Sequence, residues 1–233
     1  MTPIDVKICG IGTPADYDIC CAAGAAFVGM VFFEKSPRHL TRAQAMTIRD
    51  HARAVDARTV DARAVTGEAV GSEARPKRVA LSVNMNDSQI EEVVEAADPH
   101  MLQLHGDETP ERAAALKTRF GLPIIKAIRI AAAEDLAACT MWDGAVDWLL
   151  FDAKGDPDGL PGGTGHHFDW RLLADHKGQT KWMLAGGLSP DNVAQAIAIT
   201  NARAIDVSSG VESAPGKKDP RLIHAFVSAT QIG

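Results

Sequence analysis

The sequence predicts an α/β protein built as a single (β/α)8 barrel, and three observations predict it. Short β-branched or apolar runs bounded by turn residues begin near Val6, Phe27, Val79, Met101, Ile124, Trp148, Trp182 and Ala204, with amphipathic helical stretches between them. Most successive starts lie roughly 21–25 residues apart, the length of one strand, one helix and two short loops. No G-x-G-x-x-G follows the first run, which favours a closed barrel over a doubly wound sheet. At 233 residues and 46% hydrophobic composition the chain can bury such a core as one domain, residues 1–233.

Taken in order, strand one carries Lys7 and Cys9 on one face, since side chains alternate along a strand. Helix one opens at Thr13-Pro14 and stops at Gly24. Thr41 with Gln44 has capping-box spacing for helix two, Ser88 with Glu91 for helix three, and Thr109-Pro110 opens helix four, which Gly121 ends. Ser189-Pro190 and Asp219-Pro220 repeat the device for the last two helices. Residues 52–78 form an insertion in which Arg53, Arg58 and Arg63 recur every five residues. That period matches neither a helix face nor strand alternation, so the insertion is expected at the surface, as an extended helix two or a loop, without a catalytic role.

Composition bounds the partners. A formal net charge of −6 disfavours a nucleic-acid or membrane surface, so an anionic small-molecule substrate must be held by a few local cations and backbone N–H groups. The chain enters a strand pattern at once and has no membrane-length apolar run, which predicts a cytoplasmic protein. Cys9, Cys20, Cys21 and Cys139 lack zinc-site spacing. No zinc site is therefore expected, and the three cysteines other than Cys9 read as inert core thiols. Oligomeric state is not encoded in any feature of the sequence.

Barrel sites form at the C-terminal ends of strands. That rule selects Cys9 after strand one, Arg38 after strand two, His105 after strand four, Arg129 after strand five and Asp152 after strand six. Lys126 and Arg129, following strand five, read either as added positive potential for an anionic substrate or as ordinary surface charge. The carboxylate of Asp152 is delivered by the apolar run 148–151 into a glycine-rich segment whose residues Gly155–Gly165 could cover a ligand. Gly186-Gly187 and Ser209-Gly210, in the loops after strands seven and eight, offer backbone N–H groups as an anion cradle suited to phosphate. Glu34 and Lys35 read as solvated charges, and His166 and His167 as variable loop residues.

The blocks VKICGI (Val6–Ile11), GMVFFEKSPRHL (Gly29–Leu40), LQLHGDE (Leu102–Glu108), GGTGHHFDW (Gly162–Trp170), LAGGLSPDNV (Leu184–Val193) and DVSSGVESAPGKKD (Asp206–Asp219) resemble, in order, those of the phosphoribosylanthranilate isomerases of tryptophan biosynthesis. The resemblance spans the chain except the insertion. It implies a TIM barrel that carries out a cofactor-free Amadori rearrangement, with Cys9 as general base, Asp152 as general acid and Arg38 on the anthranilate carboxylate. It also implies a phosphate site at Gly186, Gly187, Ser209 and Gly210, with His105 and Asp206 beside the substrate. Desolvation should raise the acid, and a cation, with Lys7 the candidate, should lower the thiol. Lys7 should then lie nearer Cys9 than Asp152. Two rival readings stay open: another sugar-phosphate barrel isomerase, such as the histidine-pathway Amadori enzyme, which would carry a carboxylate in place of Cys9, and a non-catalytic phosphate-ligand sensor.

Overall fold

The structure, a computed structural model, describes residues 3–66, 75–153, 169–174, 176 and 178–231. Eight parallel strands close into a barrel in chain order: β1 (Asp5–Cys9), β2 (Phe27–Phe32), β3 (Lys77–Ser82), β4 (Met101–Leu104), β5 (Ile124–Ile130), β6 (Trp148–Ala153), β7 (Lys181–Leu184) and β8 (Ala204–Val207). Strands β3 and β7 open at exposed lysines ahead of Val79 and Trp182, because ladder pairing extends past the apolar run that marks a strand in sequence.

The two faces of each strand divide the core. Val6, Ile8, Leu102, Leu104, Leu149 and Phe151 join the layer beneath the helices. Phe27, Val79, Met101, Ile125, Leu150, Met183 and Ala204 fill the barrel interior, and Cys9, Val31 and Leu81 pack together above them. Stacked layers of this kind make the barrel a packed core with its working surface at one end.

Helices α1 (Pro14–Ala23), α4 (Pro110–Phe120) and α7 (Pro220–Thr230) begin where a capping side chain precedes proline, at Thr13, Thr109 and Asp219. Gly24 and Gly121 end the first two in the left-handed conformation, at φ 79° and 64°. Two expected starts are corrected. Helix α3 (Asp87–Ala97) opens at Asn86, whose side chain accepts from Gln89 N; Ser88 lies inside the first turn and donates to Asn86. Ser189-Pro190 opens no helix: α6 (Val193–Thr200) begins after Asn192, which folds back to accept from Ser189 N at 2.8 Å and donate to Gly187 O at 2.9 Å. That asparagine pins the loop after β7.

The insertion supplies a further result, since α2 spans Arg42–Thr66 and the first part of the arginine repeat is helical. Alanine and arginine are strong helix formers, and that propensity outweighs the irregular apolar spacing. Between β5 and β6 lie a short α5 (Ala133–Ala137) and a 3-10 turn, and a second 3-10 turn, Trp170–Leu173, precedes β7. After β8 the chain forms a small antiparallel hairpin, β9 (Glu212–Ala214) and β10 (Lys217–Lys218). No helix among the described residues is long and apolar enough to cross a membrane.

Candidate active site

The C-terminal ends of the strands surround an open-mouthed cavity. Cys9, Arg38, His105, Asp152, Gly186, Gly187, Asp206 and Ser209 all line it, although they come from six different strand ends. Gly210 stands just behind: a Cβ there would collide with the Leu188 carbonyl oxygen, so its glycine lets the loop after β8 press against the loop after β7. Gly186 and Gly187 adopt φ 86° and 66°, which glycine occupies without strain.

Cys9 sits at the top of β1, 5% exposed. Below it Lys7, fully buried in the barrel interior, donates to Asp206 Oδ1 at 2.7 Å. Adjacent pairing of β1 and β8 puts these two residues in register, so strand closure itself makes the ion pair. Burial opposes the charge on Lys7, but the Asp206 carboxylate and the Cys9 sulfur hold its pKa above the ordinary 10.5. Among the described residues Lys7 makes no ion pair with Asp152, and it does lie beside the thiol.

The effect on the thiol departs from expectation. Burial pushes Cys9 above the ordinary 9.0; the charges of Lys7 and Lys218 pull it down, Asp206 pushes it up, and burial prevails. The same desolvation raises Cys20, and raises Cys139 to about 11, in keeping with buried inert thiols.

Room for the Lys7–Cys9 pair comes from Gly29 on the neighbouring strand. A Cβ there would stand 2.8 Å from Cys9 Sγ, closer than real contacts come, and 3.2 Å from Lys7 Nζ, tighter than most. Gly29→Ala is therefore expected to destabilise the barrel by about 1–3 kcal/mol, read by urea unfolding, because two buried groups must shift to admit one methyl. Nothing in sequence distinguishes this glycine from one that merely fills a strand.

Across the cavity, His105 Nε2 faces Asp152 Oδ2 at 3.4 Å. The Gln103 amide lies 2.9 Å from His105 Nδ1; with its nitrogen donating there, the ring proton resides on Nε2, toward the carboxylate. Gln103 and His105 are two apart on β4 and so project to the same side. That spacing was the available sign that Gln103, overlooked in the sequence, belongs to the site. Asp152 is itself 6% exposed.

Arg38 is not free. Its Nε and Nη2 both donate at 2.7 Å to the carboxylate of Glu212, which also accepts from Lys218 Nζ at 2.8 Å. Lys126, expected as a source of positive potential or a surface charge, is instead 3% exposed and bonded to Glu108 at 2.8 Å and to Gly106 O at 2.6 Å. Glu108 also accepts from Asn84 N and Gly106 N, tying the loop next to His105 to the one before it. Arg129, Glu34 and Lys35 are exposed. Gly155–Gly165, His166 and His167 lie outside the described residues. Among the described residues no group of three or more His, Cys, Asp or Glu is arranged to hold a metal ion.

A closed eight-stranded barrel whose strand ends bring a thiol, a carboxylate and two glycine loops to one cavity defines a (β/α)8-barrel enzyme. A family model described as N-(5'phosphoribosyl)anthranilate (PRA) isomerase matches residues 55–229. N-(5'-phosphoribosyl)anthranilate isomerases of Parvibaculum lavamentivorans and Rhodopseudomonas palustris are 44% and 46% identical, aligning over 98% of this chain and 98% and 96% of theirs. The crystal structure of phosphoribosyl anthranilate isomerase from Thermotoga maritima superimposes with a TM-score of 0.77 at 30% identity, covering 98% of both chains. A phosphoribosyl anthranilate isomerase solved with reduced 1-(o-carboxyphenylamino)-1-deoxyribulose 5-phosphate gives 0.75 at 29% identity over 98% of each. The chain belongs to the N-(5'-phosphoribosyl)anthranilate isomerase family.

Proposed function

We propose that this chain converts N-(5-phosphoribosyl)anthranilate into 1-(2-carboxyphenylamino)-1-deoxyribulose 5-phosphate in tryptophan biosynthesis, with Asp152 as proton donor and Cys9 as base. The observation that carries the reading is that Cys9 and Asp152 line one cavity with both glycine loops. Asp152 gives its proton to the furanose ring oxygen as the anthranilate nitrogen pushes the C1–O bond open and becomes an imine. Cys9 thiolate then takes the proton from C2; the C–H electrons form C1=C2, and the imine pair returns to nitrogen. The resulting enolamine takes a proton at C1 as its C2 hydroxyl becomes the ketone, so the isomerisation balances without an oxidant or reductant.

The phosphate sits in the backbone of Gly186, Gly187, Ser209 and Gly210, the carboxylate at Arg38, and His105 and Asp206 flank the reacting carbons. His105, held through Nδ1 by Gln103, keeps its Nε2 3.4 Å from Asp152 Oδ2, beside the donor. The thiol in place of a carboxylate at Cys9 separates this chemistry from the histidine-pathway reaction.

Anthranilate fluorescence gives the test. Wild-type protein should turn the substrate over, and Asp152→Asn should lower kcat by about 10²–10⁴-fold with a small change in KM, the range general acid catalysis supplies. Wild-type protein that binds the phosphate ester without turnover would overturn the isomerase reading in favour of a phosphate-ligand sensor.

A further inference from the structure

We infer that Glu212, on the hairpin after β8, is a positioning residue of the site: one carboxylate presents the Arg38 fork to the substrate's carboxylate and holds the Lys218 ammonium near Cys9. The inference rests on the isomerase reading for the identity of the bound carboxylate.

The carboxylate is saturated. Oε1 accepts from Arg38 Nε at 2.7 Å and Lys218 Nζ at 2.8 Å; Oε2 accepts from Arg38 Nη2 at 2.7 Å and Gly216 N at 3.1 Å. Its side chain is 3% exposed, and that of Lys218 is fully buried. A guanidinium has five N–H donors, and Glu212 takes the edge formed by Nε and one hydrogen of Nη2. Among the described residues the Nη1 and Nη2 end remains, with the right spacing for a second bidentate carboxylate. An arginine that lines the cavity with its side edge clamped is aimed by the clamp.

The same oxygen reaches the base. Lys218 donates to Ser208 O at 3.0 Å, and Ser208 Oγ donates to Cys9 O at 3.1 Å. Lys218 thus belongs to the shell that holds the end of β1, and its charge acts on the thiol. Five charged groups bear on Cys9 or on its neighbours: Lys7 from β1, Asp206 from β8, Arg38 from the loop after β2, Glu212 from β9 and Lys218 from β10. Burial lowers the Lys218 pKa and Glu212 opposes that fall, so removing the carboxylate weakens the cation. The hairpin is built to deliver the carboxylate: Lys218 pairs across from Glu212, and Gly216, at φ 77°, lets the turn close against the Pro37 carbonyl just before Arg38.

The test compares two inhibitors on wild type and Glu212→Gln: reduced 1-(o-carboxyphenylamino)-1-deoxyribulose 5-phosphate and its phenylamino counterpart lacking the carboxylate. The variant should lose about tenfold or more in affinity for the first and less than about twofold for the second. In the same protein the pH midpoint for iodoacetamide alkylation of Cys9, followed on its peptide, should move upward. Glu212→Asp, which keeps the charge and shortens the reach, should show the same loss of discrimination with a smaller shift of the alkylation midpoint, and serves if the glutamine variant does not fold. Equal losses for both inhibitors, or an unmoved alkylation midpoint, would overturn the positioning role. Those outcomes differ from failure of the isomerase reading, which appears in wild-type protein as absent turnover.

Discussion

Replacing Cys9 with alanine should lower kcat/KM by about 10²–10⁴-fold, the worth of a general base, while costing the fold no more than about 1 kcal/mol. The asymmetry follows from location. The thiol caps the packed interior, touching Val31 and Leu81, so alanine removes one buried atom from a site whose shape Lys7, Gly29 and Asp206 still define. Wild-type protein supplies the companion measurement. Because burial holds the thiol above its ordinary 9.0, alkylation of Cys9 should climb with pH through a midpoint above that value, and thiolate should be the minority form at neutral pH. A midpoint below 9.0 would mean that the cations outweigh burial. Unchanged turnover in Cys9→Ala would remove the thiol from the mechanism even if the reaction stands.

Lys7→Met should cost about 3–5 kcal/mol in urea unfolding, because it leaves Asp206 buried without its partner. The pH dependence gives this prediction its signature. In wild type the folded Lys7 pKa is raised, so its stabilisation is complete below the ordinary 10.5 and is lost as pH rises through the raised value. In Lys7→Met that high-pH loss should disappear, because the only titrating partner removed is the lysine. Adding Asp206→Asn should recover much of the loss, since a buried amide carries no net charge. A single substitution that costs less than about 1 kcal/mol would show that water reaches this pair.

The barrel was legible because strands buried on both faces leave short apolar runs at a regular repeat, and β1, β2, β4, β5, β6, β7 and β8 begin at or beside the expected residues. The candidate site was legible in part, because strand ends fix which residues face the cavity and alternation fixes which share a face. What escaped the sequence is pairwise. Nothing local ties Arg38 to Glu212, 174 positions away, or Lys218 to the end of β1, and a buried ion pair leaves no periodic trace. Lys126 shows the same blindness: lysine is assumed to be solvated until its partner, here Glu108, is known. The Ser189-Pro190 start failed for a different reason, since the Asn192 side chain satisfies the Ser189 N–H and delays the helix. On the thiol, charge placement was correctly read, but the depth of burial that outweighs it depends on the closed barrel.

The Lys7–Asp206 bond joins residues 199 positions apart. A ribosome releases Lys7 long before its counterion. Until β8 emerges, an ammonium destined for a dry interior has nothing to neutralise it, so the growing chain is penalised for closing early around fewer strands. Truncations ending before residue 206 should accordingly stay expanded, and their Cys9 should be alkylated at the rate of an unfolded thiol. Arrival of β8 then acts as a checkpoint on synthesis, joining closure of the barrel to the appearance of the cavity at its strand ends.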